Sequence, residues 1–207
     1  MSYPSRIEKL IDLFSKFPGV GPKTASRFVF YLLRKQDSQI DEFLEAVVDL
    51  KKSVSLCKFC RNPFEPNTNQ LLCSICSNPL RDKTLLCLVE KETDLMLLEK
   101  TNKYPGLYFI LGSLLTPLKK KETEKIVISN LLKRLKEPLN FGIKADFKEV
   151  IIAISDTTEG QATALYLERE LAPLKLKISR LGRGLPLGAE IEYADEETLS
   201  SALEGRK

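Results

Sequence analysis

The chain has no histidine, no tryptophan and two methionines, and it holds no apolar run near the roughly 20 residues that cross a membrane. The missing histidine excludes the most. There can be no Ser-His or Cys-His nucleophile, no His-bound zinc or haem, and no imidazole titrating near neutrality. Any metal must sit on thiolates or carboxylates, and any general base must be Asp, Glu, Lys, Tyr or Cys. The opening Met1-Ser-Tyr-Pro-Ser-Arg6 has no apolar core behind a basic cap, so no secretory signal is expected. The expected compartment is the cytoplasm. Thiols stay reduced there, and paired cysteines point to metal rather than to disulfides.

What is present is an ordinary globular composition: 207 residues, 43% hydrophobic and 29% charged, enough for one large domain or two small ones. The net charge of +4 is unevenly spread. Residues 1–36 carry seven basic groups against Glu8 and Asp12, whereas residues 84–207 carry 19 of each sign. A basic N-terminus suits a polyanion.

Ile7, Leu10, Ile11, Phe14 and Phe17 recur at helical spacing, and Pro18-Gly-Val-Gly-Pro22 breaks the helix. A second helix runs through Ala25, Phe28, Val29, Leu32 and Leu33, and a third covers about 40–54. After a cysteine block the texture changes to strands alternating with helices. Leu85–Val89, Leu107–Leu111, Val150–Ile154 and Leu176–Ile178 read as strands, and 95–98, 122–136 and 160–171 as helices. That alternation predicts a mostly parallel sheet covered on both faces.

Three motifs carry chemistry. Cys57-Lys-Phe-Cys60 is separated by twelve residues from Cys73-Ser-Ile-Cys76. Two such knuckles can place four thiolates tetrahedrally around Zn²⁺, and with every position filled by protein the metal is structural. Four buried structural cysteines and a redox pair are the competing readings. Cys87, inside an apolar strand, reads as core.

The second motif is Phe17-Pro-Gly-Val-Gly-Pro-Lys-Thr-Ala25. Gly19 and Gly21 allow a tight turn and close approach to a ligand. The following helix start presents free N–H groups, with Lys23 and Arg27 one turn apart, so the hairpin can grip a phosphate without reading sequence. A plain helical hairpin needs the same glycines for its turn alone. The pattern is similar to a DNA-binding helix-hairpin-helix.

The third motif is acidic: Glu90 ends the first strand, Asp94 follows, and the third strand runs into Ser155-Asp156-Thr-Thr-Glu159-Gly160. Carboxylates at the carboxyl ends of parallel strands stand where α/β sheets bind ligands. This resembles a Toprim domain, which pairs a strand-end Glu with an Asp-x-Asp that binds Mg²⁺. Position 158 is Thr here, so the clamp lacks one carboxylate and a scaffold without catalysis is favoured.

The order of these parts resembles the RecR family of bacterial recombination mediators. The residues that carry the likeness are 17–25, Ser55–Asn62, Leu72–Asp82 with its Ser-Asn-Pro-Leu-Arg-Asp ending, Thr158–Tyr166, and Gly184-Leu-Pro-Leu-Gly188 with Glu192-Tyr-Ala-Asp195. The resemblance implies an α+β multidomain chain. Its parts would be a helix-hairpin-helix domain (1–56), a four-cysteine zinc finger (57–80), a Toprim domain (81–176) and a Gly-rich tail and helix for oligomerisation (177–207).

It further implies a non-enzymatic, nucleoid-associated DNA-repair protein, dimeric or a ring-like tetramer. Such a protein works with RecO, and in many bacteria RecF, to load RecA on single strands coated by SSB. Lys23, Arg27, Gly19 and Gly21 would face DNA, Cys57, Cys60, Cys73 and Cys76 would bind one structural zinc, and Glu90, Asp94, Asp156 and Glu159 would form a partner-binding Toprim surface. The alternative is a Mg-dependent Toprim enzyme, nuclease- or topoisomerase-like.

Two departures stand out. Lys119–Lys121 replaces a Gly-containing acidic loop, and with Lys125, Lys133, Arg134 and Lys136 it makes either a DNA-binding patch or a solvated helix face. Ser155-Asp156 replaces a more usual Asn-Pro.

Overall fold

The computed structural model describes residues 3–115, 122–182, 184–185 and 188–206. The chain divides into two compact units, Met1–Val54 and Ser55–Lys207.

The first unit is three helices: α1 (Ser5–Phe14), α2 (Pro22–Leu33) and α3 (Asp37–Ser53). Helices α1 and α2 pack together, and Phe14 sets its ring edge-on to Phe17 and Phe28 at centroid distances of 5.7 and 5.8 Å. Pro22 starts α2 because a first-turn position needs no N–H. The unit buries little: among the described residues its fully buried side chains are Ala25 and Val29. No side chain of α3 is buried, although Phe43, Leu44, Val47, Val48 and Leu50 lie along it.

The second unit begins with a two-stranded antiparallel ribbon, β1 (Ser55–Leu56) and β2 (Pro63–Phe64), and the short turn α4 (Ser74–Ser77). Then β3 (Asp82–Val89), α5 (Glu92–Lys100), β4 (Gly106–Ile110), α6 (Glu122–Lys136), β5 (Glu149–Ala153), α7 (Thr158–Leu171), β6 (Lys177–Arg180) and α8 (Glu196–Glu204) follow. The four longer strands form one parallel sheet in the order β4-β3-β5-β6, with Cys87 level with Tyr108 and Ile151. The expected parallel sheet is therefore found, and Cys87 lies in its core.

The period of two explains the core. Leu86, Leu88, Leu107, Phe109, Val150 and Ile152 point to one face, where they pack with Ile128 and Leu131 of α6, Ala164 and Leu167 of α7, and the cysteine knuckles. Cys87, Val89, Tyr108, Ile110 and Ala153 point to the other, which Leu95 of α5 covers. Burial pushes the Cys87 thiol up to about 12, which makes it inert at neutral pH.

Strand β4 lies at the sheet edge, yet all five of its residues are buried. The knuckle covers that edge: Ile110 N–H donates to Cys60 O at 3.0 Å, and the Arg61 guanidinium donates to Leu111 O at 3.2 Å. An apolar edge strand left open would template aggregation. Lys119–Lys121 lie outside the described residues.

Candidate metal centre and nucleic-acid interface

Cys57, Cys60, Cys73 and Cys76 are all buried, and their Sγ atoms lie within 4.8 Å of one another. The sequence reading of these four as one cluster matches the geometry. Backbone amides point at the sulfurs: Asn62 N–H donates to Cys60 Sγ and Cys73 N–H to Cys57 Sγ, both at 3.4 Å. Such bonds favour sulfur as thiolate.

Hydrogen bonding between the sulfurs drives their proton affinities apart. The bond with Cys60 holds Cys57 far below the ordinary thiol range, and bonds with Cys57 raise Cys60 and Cys76. Four soft donors at this spacing suit a tetrahedral divalent cation, which would displace the protons.

Arg134 departs most from expectation. Placed by sequence in a basic surface patch, it is 8% exposed. Nε donates to Phe59 O at 2.7 Å, one terminal nitrogen to Lys58 O at 2.8 Å and the other to Asn130 O at 2.9 Å. The guanidinium lies over the rings of Phe141 and Phe109, at 4.2 and 5.4 Å. Burial, and then Arg61, lower its pKa from the usual value. The signal was in the sequence: Ile128, Leu131 and Arg134 recur every three residues, which puts position 134 on the buried stripe of α6. Lys125, Lys133 and Lys136 remain outside the buried core.

Arg81, within the Ser-Asn-Pro-Leu-Arg-Asp motif, was not singled out by sequence reading. Its guanidinium pairs with Glu99 of α5 and donates to Tyr104 O at 3.0 Å and Gly106 O at 3.3 Å. It ties the exit of the knuckles to α5 and to the start of β4.

Among the described residues, no three of the acidic side chains come close enough to share a metal. Glu90, buried at the end of β3, forms an ion pair with Lys91 Nζ at 2.9 Å. Asp94 accepts from Lys91 N–H at 3.0 Å, and so closes the first turn of α5. Asp156 is exposed after β5 and lines a cleft of about 550 Å³ with Gly160, Arg180, Asp195 and Ser201. Glu159 is exposed in the first turn of α7, and its backbone carbonyl is 2.8 Å from Thr163 Oγ1. Among the described residues, the four cysteines are the one group of three or more such side chains close enough to share a metal.

Gly160 shapes this loop. A Cβ there would stand 1.8 Å from Ser155 O, and Gly160 N–H donates to Thr157 Oγ1 at 3.1 Å to cap α7.

In the first unit, Gly19 has φ +74°, a conformation that only glycine adopts without strain. Gly21 is different: it is extended, at φ −84° and ψ 169°, and a Cβ there would meet nothing within 4 Å. Its backbone is open to an approaching ligand. Helix α2 starts with no side-chain cap and no acidic residue in its first turn, and Lys23 and Arg27 are exposed beside it. An uncapped helix start with free N–H groups and nearby cations favours an anion.

Fold and sites together define a class: a helical hairpin unit with an open, basic helix start, joined in sequence to a Toprim-type sheet bearing a four-thiolate centre. Residues 7–51 match the family described as RecR, helix-hairpin-helix, residues 84–182 the Toprim domain, and residues 184–207 the family described as RecR, C-terminal. The chain is 42% identical over 207 residues to Recombination protein RecR of Ligilactobacillus salivarius (strain UCC118), covering all of this chain and 99% of that one. It is 42% identical to the protein of that name from Bifidobacterium animalis subsp. lactis (strain AD011) and 41% identical to that from Chloroherpeton thalassium (strain ATCC 35110 / GB-78). Each comparison covers 100% of this chain and 98% of the relative. The chain belongs to the RecR family of recombination proteins. Among the described residues, no helix is long and apolar enough to cross a membrane.

Proposed function

We propose that this protein is a non-enzymatic, DNA-binding mediator of recombinational repair in the cytoplasm. It acts with RecO, and with RecF where present, to load RecA on single strands coated by SSB. The observation that carries the reading is the start of α2: uncapped, free of acid, flanked by Lys23 and Arg27, and preceded by the open backbone of Gly21. Gly19 sets the turn that presents it. Such a site binds phosphate without reading bases, so its affinity is sequence-independent and falls with salt.

Cys57, Cys60, Cys73 and Cys76 hold one structural zinc per chain. The all-sulfur donor set and the amides aimed at it support zinc over a hard cation such as Mg²⁺. When bound, the metal supplies folding energy rather than reactivity, because no coordination position is left for substrate. Glu90, Asp94, Asp156 and Glu159 belong to a partner-contact surface. The threonine at position 158, and the lack among the described residues of three carboxylates close enough to share a metal, argue against Mg²⁺ chemistry.

The chain is a homo-oligomer, a dimer or a ring-like tetramer. Five apolar side chains on α3, from 45 to 58% exposed, support this, since such a face on a 17-residue helix is costly in water.

The test is a RecA-loading assay on SSB-coated single strands with RecO present. The wild type stimulates loading, and the double substitution Lys23→Glu/Arg27→Glu abolishes it while zinc content and mass stay unchanged. Absence of stimulation by the wild type contradicts the mediator role. Mg-dependent nicking lost in Glu90→Ala would establish the enzymatic alternative.

A further inference from the structure

We propose that Arg134 is a positioning residue of the thiolate centre: its buried guanidinium is the counter-charge to a zinc tetrathiolate, and it grips the first knuckle by the two carbonyls between Cys57 and Cys60. The inference rests on reading the four cysteines as a zinc centre.

Among the described residues, Glu90 and Arg134 are the two buried charged side chains, and they are satisfied differently. Glu90 has the ammonium of Lys91 at 2.9 Å. Arg134 has no carboxylate partner among the described residues, and its hydrogen bonds all go to neutral carbonyls, those of Lys58, Phe59 and Asn130. Aromatic faces of Phe109 and Phe141 cover it. A charge withdrawn from water without an opposite charge is among the costliest features a fold can contain.

The thiolate centre supplies the missing anion. Four thiolates on one divalent cation carry a net charge of −2, buried in the same core cluster as Phe59 and Phe109. Lys58 and Phe59 are the two residues between the first pair of cysteines that would hold the metal, so Arg134 grips that knuckle by its main chain. Arg61, directly after Cys60, adds a second half-buried guanidinium, anchored on Leu111 O. Two cations thus stand against a centre of charge −2. A neutral donor at position 134 could satisfy the same carbonyls, but it would leave Arg61 alone against the charge of −2.

Position 134 therefore separates charge from hydrogen bonding. Arg134→Lys keeps the charge and loses the fork, Arg134→Gln keeps a donor and loses the charge, and Arg134→Met loses both. Zinc affinity is measured on the full-length chain by competition with a chromophoric chelator at fixed pH. The wild type binds one zinc, the Gln and Met variants bind it at least tenfold more weakly, and the Lys variant stays within about threefold of wild type.

A spectroscopic readout accompanies it. With Co²⁺ in the site, the thiolate-to-metal charge-transfer band moves to longer wavelength in Arg134→Gln and holds its position in Arg134→Lys, because removing a nearby cation raises the energy of the sulfur electrons. If the neutral variants fail to fold at saturating zinc while the Lys variant folds, the charge dependence is shown directly. Equal affinity of the Gln variant and wild type, or equal losses in Gln and Lys, overturns the assignment. A wild-type chain that takes up no zinc fails the metal centre itself.

Discussion

The two compact units differ in how they are held together. The sheet unit buries a continuous core of strand, helix and knuckle side chains, and even its edge strand is covered. The hairpin unit buries Ala25 and Val29 and leaves Phe17, Phe28, Tyr31, Leu33 and the apolar side of α3 in water. One unit has a continuous core. The other exposes a basic helix start and a row of apolar side chains on α3. Burial, rather than secondary structure, distinguishes the two units.

The comparison breaks most sharply at the metal. Chelating zinc, or Cys57→Ser, should remove local folding energy on the order of 10 kcal/mol from the sheet unit. Loss of near-ultraviolet dichroism and of hydrogen-exchange protection in β4 follows, while the helices of 1–54 keep their exchange rates. Uniform loss in both units contradicts the division.

The next effect lies on α3. Leu44→Glu with Val47→Glu should reduce the oligomer to a smaller species by light scattering, with zinc content unchanged. These positions are 53 and 45% exposed, so the charges cost the isolated chain little and an apolar interface several kcal/mol.

Two glycines sharpen the contrast further. Gly160→Ala must move Ser155 O and should lower stability by about 1–3 kcal/mol by thermal unfolding. Gly21→Ala meets open space at an ordinary backbone angle, so the melting temperature holds. Its effect appears instead as a several-fold loss of DNA affinity, because the methyl group blocks close approach.

The smallest effect is on pH. Hydrogen bonds from Ser179 and then Lys177 hold the Glu149 carboxyl below its ordinary 4.5, joining β5 to β6. A folded value below the unfolded one means that this contribution is fully present above about pH 4.5. It is lost as pH falls through the depressed value. Urea midpoints measured from pH 7 to pH 3 should fall less in Glu149→Gln than in wild type.

Much of this was legible in the chain. The unbroken apolar runs Leu85–Val89 and Val150–Ile154 read as strands buried on both faces, 7–17 has helical spacing, and the two cysteine pairs read as one cluster. The strands, the first helix and the cluster are all found. What local pattern could not show was contact across the sequence. Arg134 reads as one more basic residue among Lys133 and Lys136 until α6 is placed against the carbonyl of Lys58, 76 residues away in the chain. Asp94 reads as part of an acidic Toprim surface, and its carboxylate is seen closing its own helix turn. The exposure of α3 was hidden for the opposite reason. Its apolar spacing promises a buried face, and among the described residues none of its side chains is buried.

DNA binding by this protein turns on the open start of α2. The measurement is affinity for a single-stranded oligonucleotide across a salt series, for the wild type and Lys23→Glu/Arg27→Glu, with zinc content and mass read on the same samples. The double substitution should lower affinity about tenfold to a hundredfold at about 0.1 M salt and flatten the log–log salt slope by about two, with metal and mass unchanged. Equal affinity and equal slope for the two proteins would contradict it.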